Sequence, residues 1–484
     1  MHARYVNGEF DLEALVRKTL MRIDALNPDV GAFITVHRER ALKRARAIEE
    51  KRARKEKLGK LAGVIIGIKD NIHIEGEITT CASKFLANYR APFSATVVQR
   101  LEAEDAILIG KTNLDEFAMG SSNETSSYGL CRNPWDLTRV PGGSSGGSAA
   151  ATAARFCPIS LGTDTGGSIR QPAALCGVVG FKPTYGKVSR YGAVAFASTL
   201  DQIGPFATSV ADIALTMDVM GGACENDPTS IKEQAENYRR RLGESIKGKV
   251  IGLPRSFLSE GLPEETLRNF ETAITELQEL GATVVDVDLK VLEHSLAVYY
   301  IIGTAEAATN LARFDGIRYG QRSERAQTLS DVYNFSKGEG FGFQVRNRIM
   351  LGTYVLSAGY KDAHYKKAQV ARDLIIQKYN EAFAKCDVIA MPVSPTPAFK
   401  LGQIGRQDPV QMYLQDIYTI SANLAGLPAI SVPSGFSSEN LPFGLQLTAP
   451  KGKDGDLIAF ASAYEKAQPY GAQIPKEFDC EVEV

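Results

Sequence analysis

Apolar residues at Leu12, Leu15, Val16, Leu20, Ile23 and Leu26 recur every three or four positions, which predicts an amphipathic amino-terminal helix. Pro28 predicts its end at Asn27, because proline disfavours helical geometry in the residue before it. A second helix is expected over residues 38–57. Its lysines and arginines are interleaved with Glu39, Glu49, Glu50 and Glu56, so it reads as a solvated face rather than an RNA contact. Beyond residue 60 the pattern changes. Short apolar runs at 64–68, 106–109, 159–161, 250–253, 284–289, 388–391, 430–432 and 445–447 predict strands buried on both faces. Helical periodicity at 264–280, 368–384 and 456–466 alternates with them, which gives an α/β fold class with a mostly internal sheet. Residues 224–248 are polar and charged but lack the composition of a flexible linker, and are expected to be an internal connection.

Charge narrows the possible partners. The 55 Lys and Arg residues against 56 Asp and Glu leave a net charge of -1, without the basic field of a free nucleic-acid binder. Any nucleic acid is expected to be held by a partner. No apolar run approaches the ~20 residues of a membrane span, and the amino terminus has neither a signal region nor an acid-free transit peptide. The expected compartment is the cytoplasm, with no membrane contact. Seven cysteines, at 81, 131, 157, 176, 224, 386 and 480, form no C-x-x-C pair and predict reduced structural thiols with no metal site.

Residues 141–170, PGGSSGGSAAATAARFCPISLGTDTGGSIR, concentrate the candidate chemistry. Two Gly/Ser clusters flank a helix-forming run at 148–155 and an apolar strand, so they read as site loops and not as a linker. Glycine lets backbone N–H groups point into a cavity, as an anion or oxyanion site requires. A phosphate loop fails at Gly110-Lys111-Thr112 because its first glycine would fall on Asp105, and Gly338 to Gly342 lacks dinucleotide spacing. Ser168 is not in a G-x-S-x-G elbow, since residue 170 is arginine. A serine nucleophile needs a base, yet none of the histidines (2, 37, 73, 294 and 364) lies in a glycine-rich loop. Lysine can serve where burial strips its proton. Lys69 closes the apolar run GVIIGIKDN and fits that requirement, although a strand-end lysine reaching water or pairing with Asp70 fits this segment equally well.

The motifs Gly67-Ile68-Lys69-Asp70-Asn71, Gly142 to Ser148 and Gly162 to Arg170 resemble, in order and spacing, the amidase signature family. That resemblance implies a large mixed central β-sheet flanked by helices on both faces and a single amidase domain over 1–484. Within it, amino-terminal helices would occupy about 1–60 and the signature core about 61–210, and the remainder would complete the sheet and substrate pocket. It also implies a Ser-cisSer-Lys triad with Ser168 as nucleophile, Ser144 as bridge and Lys69 as base, and an oxyanion hole from Thr165, Gly166, Gly167 and Ser168.

Further stretches, among them KTNLDEFAMGSSNETS (111–126), NLARFDGIRYG (310–320) and RIMLGTYVLSAGY (348–360), are similar to the branch formed by the A subunits of aspartyl/glutamyl-tRNA amidotransferases. This implies glutamine as substrate, held by Arg348 and Asp416 with Tyr299 assisting, and with Asn71, Met119 and Gly120 lining the pocket. Because Asn347 stands where a second arginine is common, the choice between Arg346 and Arg348 stays open. The implied partners are a B subunit, which binds tRNA and uses ATP and Mg, and a small C subunit. The chain itself would bind no cofactor and would meet tRNA only indirectly. The rival readings are a free-standing amidase acting on a small amide and a non-catalytic scaffold protein.

Overall fold

The computed structural model describes residues 2–233, 236–258, 262–404 and 409–479; Cys480 lies outside them. Eleven strands are labelled in chain order: β1 Phe33–Val36, β2 Ile65–Lys69, β3 Ile107–Thr112, β4 Ile159–Asp164, β5 Val179–Lys182, β6 Gln202–Ala207, β7 Val250–Leu253, β8 Thr283–Asp286, β9 Val388–Pro392, β10 Ala429–Phe436 and β11 Pro442–Thr448. They join one mixed sheet in the order β1-β3-β2-β4-β6-β5-β10-β11-β9-β7-β8. β2 runs parallel to both β3 and β4, and β7 is parallel to β8 and β9; the other pairings are antiparallel.

Alternating side chains show why the central strands are apolar throughout. Ile65, Ile107 and Ile109 pack on one face with residues of helices Leu12–Val30 and Arg38–Ala53, while Ile66, Ile68 and Leu108 enter the larger core on the other. A strand covered on both faces has no polar side to alternate with. Because β2 and β4 are parallel, their carboxyl ends share one edge of the sheet, where α/β folds open clefts to ligands.

Some expectations are corrected. Helix Leu12–Val30 runs through Pro28 and stops at Gly31, whose left-handed backbone caps the Asn27 carbonyl. Pro28 sits in the final turn, where few hydrogen bonds remain for it to disturb. The basic helix ends at Ala53, and much of its charge is paired: Arg46 meets Glu13, Arg40 meets Glu102, and Arg44 and Lys51 meet Asp105. The run at 284–289 is a strand only to Asp286. β1, β5 and β6 were not predicted; β6 contains Gly204 and Pro205, which read as turn residues. Cys81, Cys131, Cys157, Cys176, Cys224 and Cys386 are free thiols. Among the described residues no helix is long and apolar enough to cross a membrane, and no cluster of three His, Cys, Asp or Glu side chains is arranged to hold a metal ion.

Candidate active site

Lys69 is the last residue of β2 and is fully buried, so it does not reach water. Nor does it pair with Asp70, which turns away to Lys111 at 2.9 Å and to the Thr80 N–H at 3.0 Å. Its Nζ instead lies in a cage of hydroxyls: Ser144 Oγ and Ser145 Oγ at 2.8 Å and Thr163 Oγ1 at 2.9 Å. Thr163 comes from β4, whose carboxyl end is beside that of β2. Burial lowers the lysine pKa to about 7, against the pull of Asp115, Asp164 and Asp201 toward the charged form.

The hydroxyls around Nζ are not equivalent. Ser145 Oγ donates its hydrogen to the Thr163 carbonyl at 3.1 Å, and Thr163 Oγ1 accepts from Asn71 Nδ2 at 3.0 Å. Ser144 Oγ has no second partner among the described residues, so its hydrogen is free for exchange with the amine. Ser144 follows a cis peptide bond at Gly143–Ser144 and immediately precedes the fully buried segment that begins helix Gly146–Ala153.

Ser168 stands in the loop between β4 and helix Arg170–Cys176. The structure brings it to the same wall, where its carbonyl accepts the Ser145 N–H at 3.2 Å. Its Oγ forms no hydrogen bond to Ser144 or to any other described residue. The loop is held from beneath by Asp164, which accepts the Gly167 N–H at 2.8 Å and pairs with Arg170 at 3.0 Å, both charges being fully buried. Burial opposes ionisation of Asp164, but the Arg170 charge and its hydrogen bonds win and hold the pKa at about 2. Of the four expected oxyanion donors, Gly167 therefore has its N–H already engaged. Its φ of 134° is a conformation that side chains disfavour, and a Cβ on Gly166 would lie 2.7 Å from the Tyr299 ring.

Arg348, in helix Phe343–Leu356, is buried and its Nε has no partner among the described residues; its guanidinium lies 5.5 Å from the Phe196 ring centre and 5.6 Å from that of Tyr300. Arg346, the alternative, is exposed and donates to the Gly338 carbonyl at 2.8 Å. Asp416 is buried, receives the Ser121 hydroxyl on Oδ2 and leaves Oδ1 without a partner among the described residues. Burial raises its pKa to about 7. Met119 is fully buried in the main core, and its neighbour Ala118 lines a cavity of about 200 Å³ together with Asn71, Thr163, Thr165 and Phe196. Gly120 packs against the Asp115 carboxyl group, which a Cβ would approach to 2.4 Å.

Residues 14–458 match the family model described as Amidase. The chain belongs to the amidase signature family. This amidase-family enzyme is 55% identical over 473 residues to the A subunit of glutamyl-tRNA(Gln) amidotransferase from Protochlamydia amoebophila, covering 98% of the chain and 96% of that relative. The crystal structure of the A subunit of glutamyl-tRNA(Gln) amidotransferase from Thermotoga maritima is 44% identical with a TM-score of 0.79, covering 95% of this chain and 92% of that one. Peptide amidase from Stenotrophomonas maltophilia is 30% identical with a TM-score of 0.80, over 99% and 97% of the two chains.

Several groups at this amidase site were not singled out from the sequence. Ser145, Thr163, Asp164 and Arg170 lie inside the glycine-rich motifs, and Asp115 and Ser121 inside the stretch at 111–126, so adjacency to the motif residues was a usable signal. Thr419, whose hydroxyl donates to the Gly166 carbonyl at 2.7 Å, carries no such signal.

Proposed function

We propose that this chain is the glutamine-hydrolysing subunit of a tRNA-dependent amidotransferase and works as one amidase unit over residues 1–484. The observation that carries the glutamine reading is the pair of buried atoms Arg348 Nε and Asp416 Oδ1, both without a partner among the described residues. A free α-amino acid brings one carboxylate and one ammonium, the charges these two groups lack. Similarity to the glutamyl-tRNA(Gln) amidotransferase relatives supports the same reading.

In the proposed reaction, neutral Lys69 takes the proton of Ser144 as Ser144 takes that of Ser168, and the Ser168 oxygen attacks the side-chain amide carbon of glutamine. The Ser144 to Ser168 hydrogen bond closes when substrate is bound. Charge on the carbonyl oxygen is met by the N–H groups of Thr165, Gly166 and Ser168, while the Gly167 N–H holds the loop through Asp164. Ser144 returns a proton to the leaving nitrogen, ammonia departs, and a glutamyl ester remains on Ser168. Water then attacks through the same relay and releases glutamate. Tyr299, over Gly166, closes the pocket wall.

Glutamine hydrolysis alone would waste ammonia. The reading therefore includes a B subunit that activates Glu-tRNA(Gln) or Asp-tRNA(Asn) with ATP and Mg and receives the ammonia, and a small C subunit that clamps the two. A second reading, a free-standing amidase, is favoured by the similarity to peptide amidase. Ammonia release from glutamine and from a simple aliphatic amide separates the two. With Arg348→Ala and Asp416→Ala, loss of glutamine turnover alone supports the glutaminase, and loss of neither supports the free-standing amidase.

A further inference from the structure

Helix Phe343–Leu356, which carries Arg348, begins at Gly342, a residue with no side chain to cap it. The N–H of Gly342 itself, the group that the acidic half of a capping box would hold, is met from a point 226 residues earlier: Glu116 Oε2 accepts it at 2.8 Å. The other oxygen of the same carboxyl group accepts the Ser83 hydroxyl, and Glu116 is 1% exposed. A carboxylate at a helix start also meets the positive end of the helix dipole.

What lies behind Glu116 gives this cap its meaning. The neighbouring Asp115 N–H donates to the Ser144 carbonyl at 3.1 Å, and the Glu116 N–H donates to Thr125 Oγ1 at 3.0 Å. Thr125 Oγ1 in turn donates to Asp115 Oδ1 at 2.8 Å. One short segment therefore holds the backbone of the bridging serine on one side and the start of the Arg348 helix on the other. Six residues of helix, a rise of ~9 Å, separate Gly342 from Arg348.

We propose that Glu116 is a positioning residue that sets the Arg348 helix in register with the serine–lysine relay, and so fixes the distance between the α-carboxylate clamp and the attacking serine. This rests on the glutaminase reading above. A fixed distance favours one length of substrate side chain, that which brings the amide to Ser168 while the carboxylate sits on Arg348. Arg348 supplies the contact, and Glu116 supplies only its location.

The test uses the full chain as isolated with whatever partner chains come with it. Steady-state glutamine and asparagine hydrolysis is measured alongside the rate of Ser168 labelling by a fluorophosphonate probe, which needs the relay but no α-carboxylate clamp. Glu116→Ala is expected to raise KM for glutamine at least about tenfold, the scale of a lost hydrogen bond to a charged group, with kcat and labelling within about twofold. The preference for glutamine over asparagine should fall with it. Glu116→Gln keeps an oxygen for the Gly342 N–H and should stay within about threefold of the parent. Gly342→Ala gives a second approach, because its Cβ would lie 2.3 Å from Glu116 Oε2. It should raise KM in the parent but add less than about twofold on top of Glu116→Ala.

An unchanged KM in Glu116→Ala, or a fall in labelling as large as the fall in glutamine turnover, overturns the proposal. An additive Gly342→Ala effect does the same. If the parent chain labels at Ser168 but does not hydrolyse glutamine, the glutaminase reading has failed instead.

Discussion

Two groups of buried polar side chains are built on opposite principles. Around Lys69 the buried polar groups are closely partnered: the amine touches three hydroxyls, Ser145 is tied to Thr163, and Asp164 is bound by Arg170, Asn423 and the Gly167 N–H. Around Arg348 and Asp416 the charges are also buried but half-paired, with Arg348 Nε and Asp416 Oδ1 unsatisfied among the described residues. An unpaired buried polar atom costs about 1–3 kcal/mol, so the second group is unfavourable while empty. In the proposed reading the base of the relay is held by partners in advance and only the Ser144–Ser168 bond waits for substrate, whereas the recognition end keeps its valences for the ligand.

Substitutions can break this contrast at either end. The largest effect is expected from Ser168→Ala, which removes the proposed attacking atom and should lower glutamine-dependent ammonia release by on the order of 10⁶-fold in kcat. Next, Arg170→Ala should destabilise the fold by about 3–5 kcal/mol in denaturant titration, because it leaves Asp164 buried and uncompensated. Arg348→Ala should cost about 2–5 kcal/mol in kcat/KM for glutamine, chiefly through KM, and leave simple amides almost untouched.

Proton binding sharpens the same comparison. Lys69 acts as a base only when neutral, and burial brings its pKa to about 7, so kcat/KM should rise as pH increases through 7 and then level off. Asp416, raised to about 7 by burial, must be ionised to hold an ammonium and adds to the same rising limb. Asp416→Asn should therefore leave only the lysine step, visible with simple amides. The smallest change is expected from Ser145→Ala. Ser145 supports Lys69 without sharing its exchangeable proton, and its loss should reduce kcat by less than about tenfold, the value of one hydrogen bond.

The internal sheet was readable because strands covered on both faces must be apolar, as the runs that became β2, β4 and β9 show. β6 was hidden by Gly204 and Pro205, whose turn preference is overridden by pairing between β4 and β5. At the site, the glycine-rich loops and a lysine ending an apolar strand marked 141–170 and Lys69 as candidates, and the resemblance to the amidase signature family supplied the roles expected of Lys69, Ser144 and Ser168. The cage around Nζ was not legible, since it depends on β2 and β4 being parallel neighbours, a long-range fact that no local pattern encodes. The Glu116 contact to Gly342 is hidden for the same reason, its partners being 226 residues apart.

The central claim is that Ser168, activated through Ser144 by Lys69, carries the acyl group. Peptide mass spectrometry of the chain after acid-quenching during glutamine turnover tests it most directly. The account predicts a glutamyl ester on the peptide containing Ser168 and none on the peptide containing Ser144 and Ser145. A glutamyl group on any other residue, or ammonia release at the parent rate from Ser168→Ala, would contradict it.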